Sequence, residues 1–348
     1  MTTRYDALVI GGGQSGLAAT HHLRKHGLSV ALLEAGPEPV GSWPHYYDSL
    51  TLFSPAKYSA LPGLPFPGDP DRYPHRDEVI DYLRQYAKTL DADIHTHHRV
   101  DTVTHDGHHF TAHTDTGAGF TAPRLVAATG GFGTPRIPEL TGQDLFTGNI
   151  VHAGRYRSPT EFTDRHVIVV GAGNSAVQIA TELAEHATVT LASRTPVKFV
   201  PQRPLGRDMH FWFTLTGIDT APIGYLLRRP PTAPVFDTGH YKSAIAANKP
   251  EHRPMFTTLR IDSALWPDTT TPVDTVILAT GYTPNPAYLN NIGALTAAGA
   301  PRHGKGLSTT HAGLGYVGLE WQRSLSSASL RGVGRDAARL ATQLRDVA

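Results

Sequence analysis

The chain has 348 residues, too many for one ordinary domain and enough for two, each with its own apolar core. With 31 Lys plus Arg against 30 Asp plus Glu, no strong field favours nucleic acid or an anionic membrane surface. Cysteine is absent, which excludes disulfides, thiolate nucleophiles, Cys-ligated zinc, iron–sulfur clusters and any redox-active CxxC pair.

RYDALVI leads directly into glycines rather than through a basic leader and an apolar signal core, and no apolar run approaches the length of a membrane span. A soluble, cytoplasmic protein without a membrane partner is expected. Ala7 to Ile10 read as a short buried strand, Gly11, Gly13 and Gly16 as GxGxxG, and Leu17 to Lys25 as a helix ended by Gly27. A second strand, Ser29 to Leu33, ends in Glu34. The glycines permit a tight turn and close approach to a pyrophosphate, the helix N-terminus offers free N–H groups, and Glu34 is spaced to accept bonds from a ribose. Without a 2′-phosphate on that ribose, the site suits FAD.

Residues 37 to 76, rich in Pro, Tyr and Trp, read as a long ordered loop. Asp77 to Leu90 carry Val79, Ile80, Leu83, Tyr86, Ala87 and Leu90 at helical spacing. Residues 93 to 122 alternate and turn as a small antiparallel excursion, whose histidines fall at exposed strand positions with no metal-ligand frame. LVAATG (125 to 130) and VILATG (276 to 281) are near-duplicates, each read as the strand closing a nucleotide-binding sheet.

His166 to Val170, the turn Gly171, Gly173, Ala176, the helix Val177 to Glu185 and the strand Thr188 to Leu191 repeat the first unit. This time the strand runs on into Ser193 and Arg194. A guanidinium welcomes a ribose 2′-phosphate that a carboxylate would repel, so NADPH is expected over NADH, the alternative being that Arg194 is a solvated surface charge. The fold class is therefore α/β, with two Rossmann-like dinucleotide-binding domains and the NADPH domain inserted in the FAD domain. The expected boundaries are 1–156, 157–283 and 284–348, with GLGYVGLEW (313 to 321) as strand and turn and Ser326 to Val347 mainly helical.

Between the two glycine turns stands FTGNIVHAGRY (146 to 156), which matches FxGxxxHxxxY at Phe146, Gly148, His152 and Tyr156. With both turns, GSW (41 to 43), Ala-Thr-Gly twice and Gly318-Leu319, the chain resembles the flavin-containing monooxygenases, class B flavoprotein oxygenases, in their compact bacterial form. The resemblance implies FAD at Gly11, Gly13, Gln14, Ser15, Gly16, Glu34, Gly41, Ser42, Trp43, Thr129, Gly318 and Leu319, and NADPH at Gly171, Gly173, Asn174, Ser175, Ser193 and Arg194. It implies that a C4a-hydroperoxyflavin oxygenates a soft heteroatom, in a sulfide, an amine or an organic arsenical, with a small molecule and O2 as partners. In the family the fingerprint couples NADPH binding to the flavin; here coupling and mere packing of the hinge by His152 and Tyr156 stand side by side. Related Baeyer–Villiger enzymes carry Trp followed by Pro or Asp at the fingerprint's end, where this chain has Tyr156-Arg157, which favours heteroatoms over ketones. Better-known members carry Asn near the flavin where SLTLFSP has Phe53, a residue that excludes water but donates no bond.

No catalytic side chain is implied, because the flavin carries the chemistry. Three other readings remain: an uncoupled NADPH oxidase releasing H2O2, a Baeyer–Villiger oxidation of ketones, and a redox-sensing module holding both cofactors without turnover. PQRPLGRDMHFWFTLTG (201 to 217), with Arg203, Arg207 and Trp212, is expected to border the nicotinamide or substrate entrance. A homodimer stays open.

Overall fold

The computed structural model of the chain describes residues 2–224 and 234–345. Ala7–Ile10 is fully buried because its apolar side chains serve two cores, Ala7 and Val9 facing one and Leu8 and Ile10 the other. Helix α1 (Gln14–Lys25) begins at Gln14 rather than Leu17, since Gly13 in extended conformation already forms its N-cap. Val30–Leu33 pairs parallel with Ala7–Ile10 and ends directly before Glu34.

These strands belong to a seven-stranded sheet. Its order is His303–Gly304, Leu307–Ser308, Leu314–Tyr316, Leu125–Ala127, Ala7–Ile10, Val30–Leu33 and Asp93–His95, parallel except at the hairpin edge. One face packs on α1, on helix α2 (Arg76–Lys88) and on the C-terminal helix Leu330–Arg345, through Leu17, Leu23, Val79, Leu83, Val333 and Leu340. Each such fully buried aliphatic side chain contributes about 1.5–3 kcal/mol relative to exposure. The expected helix end at Val347 lies outside the described residues. The other face is covered by Val100–His105, Phe110–Thr114 and Gly119–Ala122, an antiparallel unit to which Thr2–Arg4 adds a parallel strand.

The second sheet is five-stranded and wholly parallel, in the order Asn149–His152, Thr275–Leu278, His166–Val170, Thr188–Ser193 and Glu251–Pro254. Helix α3 (Asn174–Leu183) covers one face with Val177, Ile179, Ala180 and Leu183, starting at Asn174 rather than Val177 because Gly173 caps it. The opposite face holds Ile168, Val170, Val276 and Leu278 under Phe146 and Trp266. The chain thus has two doubly covered parallel sheets, the second inserted in the sequence of the first, joined by side-by-side crossings where Tyr282–Thr283 pairs antiparallel with Thr134–Pro135.

Two expectations are corrected by the strand pairing. The Ala-Thr-Gly strands do not close their sheets: Leu125–Ala127 lies between Ala7–Ile10 and Leu314–Tyr316, and Thr275–Leu278 between His166–Val170 and Asn149–His152. Strands buried at every position suit interior places covered on both faces, whereas edges go to less buried segments. The fingerprint strand Asn149–His152 is such an edge, so the second sheet reaches back before residue 157.

Candidate functional site

In each lobe the first glycine of the turn lies against the Ala of Ala-Thr-Gly. Gly11 has φ +104°, and a Cβ there would stand 2.9 Å from the Ala128 carbonyl oxygen; at Gly171, with φ +153°, it would stand 2.5 Å from that of Ala279. The duplicated tripeptides are the walls against which the two turns close, and only glycine leaves room.

At the first turn Glu34 is buried, 7% exposed, and its carboxylate accepts from the backbone N–H of Gly12 at 2.6 Å and of Gly36 at 2.7 Å. Each oxygen retains a second lone pair for a ribose hydroxyl. Gly13 gives α1 no side-chain cap, so it satisfies none of the first-turn N–H groups. Gly41 lies on Gly13, where a Cβ would come within 2.7 Å of its Cα, and Trp43 Nε1 donates to Gln14 Oε1 at 2.9 Å. The Ser42 hydroxyl bonds that of Tyr46 at 3.0 Å. Gly318, at φ +90°, closes over Ser15, and Thr129 is exposed with its hydroxyl 3.2 Å from that of Tyr288. Residues from four distant stretches thus meet at the carboxyl ends of Ala7–Ile10, Leu125–Ala127 and Leu314–Tyr316. Leu319 is directed away, packing half-buried on the core of the opposite face. Bare backbone walls around an uncapped helix start fit a dinucleotide pyrophosphate such as that of FAD.

The second turn is barer. A Cβ on Gly173 would meet nothing within 4 Å, and the N-terminus of α3 has no side-chain cap. Asn174 Nδ2 donates to the Pro234 carbonyl at 3.3 Å while its Oδ1 is buried without a partner, and Ser175 is exposed. Arg194 is exposed at the end of Thr188–Ser193 and makes no ion pair among the described residues. The open turn, the helix start without a side-chain cap and the free guanidinium fit NADPH. Ser193 does not stand with them: it is 5% exposed, and its hydroxyl is engaged by the Thr195 carbonyl at 2.7 Å and His252 Nε2 at 2.9 Å. Its polarity serves the strand end.

The spacing of the fingerprint has a physical account. Phe146 is in the core beneath the second sheet, and Gly148 is small because Phe146 Cζ and the Asp274 carbonyl would stand 2.4 and 2.5 Å from a Cβ. His152, 4% exposed, accepts at Nδ1 from Gly154 N–H at 3.1 Å, which leaves Nε2 to donate to the Gly281 carbonyl at 3.0 Å. Burial lowers its pKa, so the ring stays neutral and ties the fingerprint to the second Ala-Thr-Gly. Tyr156, 1% exposed, donates to Glu182 Oε2 on α3 at 2.7 Å, and burial followed by that carboxylate raises its pKa.

Edge-to-face rings run from one lobe to the other. Trp43 meets Tyr46 at 5.5 Å, Tyr46 meets Phe132 at 6.4 Å, Phe132 meets Tyr282 at 5.4 Å, and Tyr282 meets His152 at 4.8 Å. Through Gln14, this chain begins at the N-terminal turn of α1.

Phe53 stacks on Phe236 at 5.4 Å and on His210 at 6.0 Å, side chains of the inserted lobe. Beneath it is a network the sequence reading missed, signalled only by the Asp-x-His spacing of 208 and 210. Asp208 accepts from Tyr73 at 2.6 Å, Gln202 at 2.7 Å and His210 Nδ1 at 2.8 Å. Burial opposes its charge, but the bonds from His210, Tyr73 and Gln202 outweigh it and hold the carboxyl at about 2. Arg203 lies over the Tyr73 ring, Arg207 over Phe211, and Trp212 Nε1 donates to the Pro204 carbonyl. Among the described residues no group of three His, Asp or Glu could hold a metal ion, and no helix is long and apolar enough to cross a membrane.

Residues 8–204 match the pyridine nucleotide-disulphide oxidoreductase family. An uncharacterized oxidoreductase of Geobacillus kaustophilus is 33% identical over 95% of this chain and 96% of its own length. An indole-3-pyruvate monooxygenase of Oryza sativa subsp. japonica is 30% identical over 83% of this chain and 80% of its own. Among solved structures, a double mutant of a flavin monooxygenase from Stenotrophomonas maltophilia superposes with a TM-score of 0.87 at 30% identity, covering 99% of this chain and 98% of that one.

Proposed function

The chain belongs to the pyridine nucleotide-disulphide oxidoreductase family and, within it, to the flavin-dependent monooxygenases with FAD and NADPH as cofactors; on that premise we propose that it oxygenates a soft heteroatom, a sulfide sulfur or an amine nitrogen, in a small molecule. FAD reduced by NADPH supplies the activation of O2 and delivers one oxygen atom. The chain's residues bind, orient and exclude water. Gly11, Gly13 and Gly16 with the N-terminus of α1 bind the flavin pyrophosphate, and Glu34 accepts from its ribose while pinning the turn. Gly171, Gly173 and Asn174 receive the pyrophosphate of NADPH, and Arg194 pairs with its 2′-phosphate. Residues 1–156 with 284–348 serve FAD and 157–283 serve NADPH, with Asn149–His152 shared at the junction.

The observation that carries this reading is the place of the fingerprint. His152 is linked by rings to Trp43 and Gln14 at one turn, and Tyr156 is bonded to the helix of the other. His152 and Tyr156 are positioning residues: neither has a free polar atom facing a substrate. Phe53 offers an apolar ring where a hydrogen-bond donor would serve a carbonyl, which favours a soft heteroatom. The absence of cysteine from the sequence opposes a dithiol reductase.

A second reading, a carbonyl substrate such as a 2-oxo acid, draws on the name of the rice relative. The test is turnover with a thioether, a tertiary amine, a ketone and an aryl 2-oxo acid, scoring oxygenated product and H2O2 per NADPH consumed. Sulfoxide or N-oxide in near-stoichiometric yield supports the proposal. Product from the 2-oxo acid alone selects the second reading, and peroxide alone would make the protein an NADPH oxidase.

A further inference from the structure

Residues 202–224 belong in sequence to the inserted lobe, yet both carboxylates they carry are bonded by the first. At one end Asp208 caps the helix Met209–Thr216, accepting from the His210 N–H at 2.8 Å, and also takes the Tyr73 hydroxyl at 2.6 Å. At the other end Asp219, 4% exposed, accepts at 3.0 Å from Nε of Arg331, in the first turn of the C-terminal helix Leu330–Arg345. The Asp219 carbonyl accepts from the Ser326 N–H at 3.1 Å and from its hydroxyl at 2.8 Å, and the Gly224 N–H donates to the Arg323 carbonyl at 2.8 Å. A Cβ on Gly224 would stand 2.0 Å from the Trp321 carbonyl oxygen, so the two stretches meet backbone to backbone.

The stretch that receives this segment is itself packed on the first glycine turn. Gly318 closes over Ser15, and the Ala328 carbonyl accepts from Gln14 Nε2 at 3.4 Å. On its other side the Arg331 guanidinium lies 5.9 Å over the ring of Phe213, which meets Phe236 edge-on at 6.3 Å. Phe236 belongs to the strand Val235–Asp237, and Pro234 just before it gives its carbonyl to Asn174 Nδ2 at the start of α3. The Asp219–Arg331 pair thus stands on a second path between the two turns, one that shares only Gln14 with the rings running to His152.

We propose that Asp219 and Arg331 are positioning residues for the reduction of the flavin by NADPH. The pair sets the register of the inserted lobe over the first, so that the nicotinamide carried by the second turn meets the flavin carried by the first. The step it serves moves one hydride, a proton with two electrons, from NADPH to FAD and gives NADP+ and the two-electron-reduced flavin; neither side chain touches the reacting atoms. The contribution is to geometry rather than to stability. With the two side chains 12% and 6% exposed, desolvation offsets most of their attraction, whereas a slip of one lobe past the other would leave two buried charges unpaired. The inference rests on the cofactor placement proposed above and not on which substrate is oxygenated.

The FAD-loaded protein tests this with NADP+, which binds without donating a hydride, and then with NADPH. In the wild type, NADP+ titrated by calorimetry should bind saturably and perturb the visible flavin band. Asp219→Leu/Arg331→Met removes both charges and leaves an apolar pair, so the urea midpoint, flavin content and NADP+ affinity should stay at wild-type values. The same variant should lose most of the NADP+-induced change in the flavin band. Its flavin should bleach about tenfold more slowly in anaerobic stopped flow at saturating NADPH. Asp219→Asn, which leaves Arg331 buried and unpaired, should lower the midpoint as well. If the double variant does not fold, Arg331→Lys decides: it keeps the cation, loses the aligned Nε–H and should slow reduction about threefold at unchanged NADP+ affinity. Wild-type reduction and a wild-type difference spectrum in the variant that folds would overturn the assignment, as would a loss of NADP+ affinity equal to the loss in rate. A wild type that binds no NADP+ refutes the cofactor placement itself, and this inference with it.

Discussion

Replacing His152 by Ala removes a ring that is 4% exposed and holds two backbone groups, the Gly154 N–H and the Gly281 carbonyl. Each bond contributes about 1 kcal/mol net. The edge-to-face contact with Tyr282 at 4.8 Å adds about 0.5–1.5 kcal/mol. The loss in stability is therefore about 3 kcal/mol, read as a lowered urea midpoint with an unchanged slope. If the Gly281 bond alone, about 1 kcal/mol, holds the lobes in the productive arrangement, flavin reduction by NADPH slows about fivefold. Anaerobic stopped-flow bleaching of the flavin band measures that rate, and peroxide per NADPH measures leakage. His152→Asn separates the two effects: Asn caps the Gly154 turn, restoring about 1 kcal/mol of the loss, but cannot reach Gly281, so stability recovers in part and the reduction rate does not. A wild-type midpoint, a wild-type reduction rate and no extra peroxide in His152→Ala would refute the positioning argument.

A Cβ on Gly16 would stand 1.8 Å from the Gly11 carbonyl oxygen, so Gly16→Ala should yield protein with little bound flavin, seen in the ratio of visible to ultraviolet absorbance. Gly173→Ala, with nothing within 4 Å, should fold and stay yellow yet bind NADPH at least tenfold more weakly; wild-type affinity would remove the pyrophosphate from that turn. Arg194→Ala should weaken NADPH by about ten- to a hundredfold, from loss of a charge-assisted contact of about 1.5–3 kcal/mol, and leave NADH nearly unchanged; equal losses for both would deny the phosphate contact. Burial lowers the pKa of His22 from 6.5 to about 4, with nearby His21 and Lys25 adding to the shift. The unfolded chain takes up this proton first as pH falls, so stability is full above about 6.5 and declines toward about 4. His22→Gln should flatten the pH dependence of the urea midpoint in that window, and an unaltered slope would show that other groups set it.

The two glycine turns were legible in the sequence because their chemistry is local. A glycine turn between a four-residue apolar strand and an amphipathic helix is fixed by backbone sterics within about 30 residues, and the acidic or basic strand end follows at constant spacing. The two helices that follow these turns start three residues before the expected Leu17 and Val177, since hydrophobic periodicity begins at the first core contact whereas each helix begins at its glycine cap. The fingerprint was visible as a pattern, yet its physical content was not: the neighbours that explain Gly148, His152 and Tyr156 are Asp274, Gly281 and Glu182. The same holds for the buried Asp208–His210 pair, whose third member, Tyr73, comes from the first lobe.

By itself the sequence determined the fold class, the presence of two dinucleotide turns and the exclusion of thiol chemistry, because composition and short-range spacing suffice for these. Tertiary structure alone decided that the Ala-Thr-Gly strands are interior walls, that Ser193 is turned inward and that the fingerprint strand joins the second sheet. It also decided that Glu182 and Glu185 share a cavity with the rings of Phe53, Phe236 and Tyr241. Each of these depends on contacts between residues distant in the chain, and no local periodicity records which distant surface a side chain will meet.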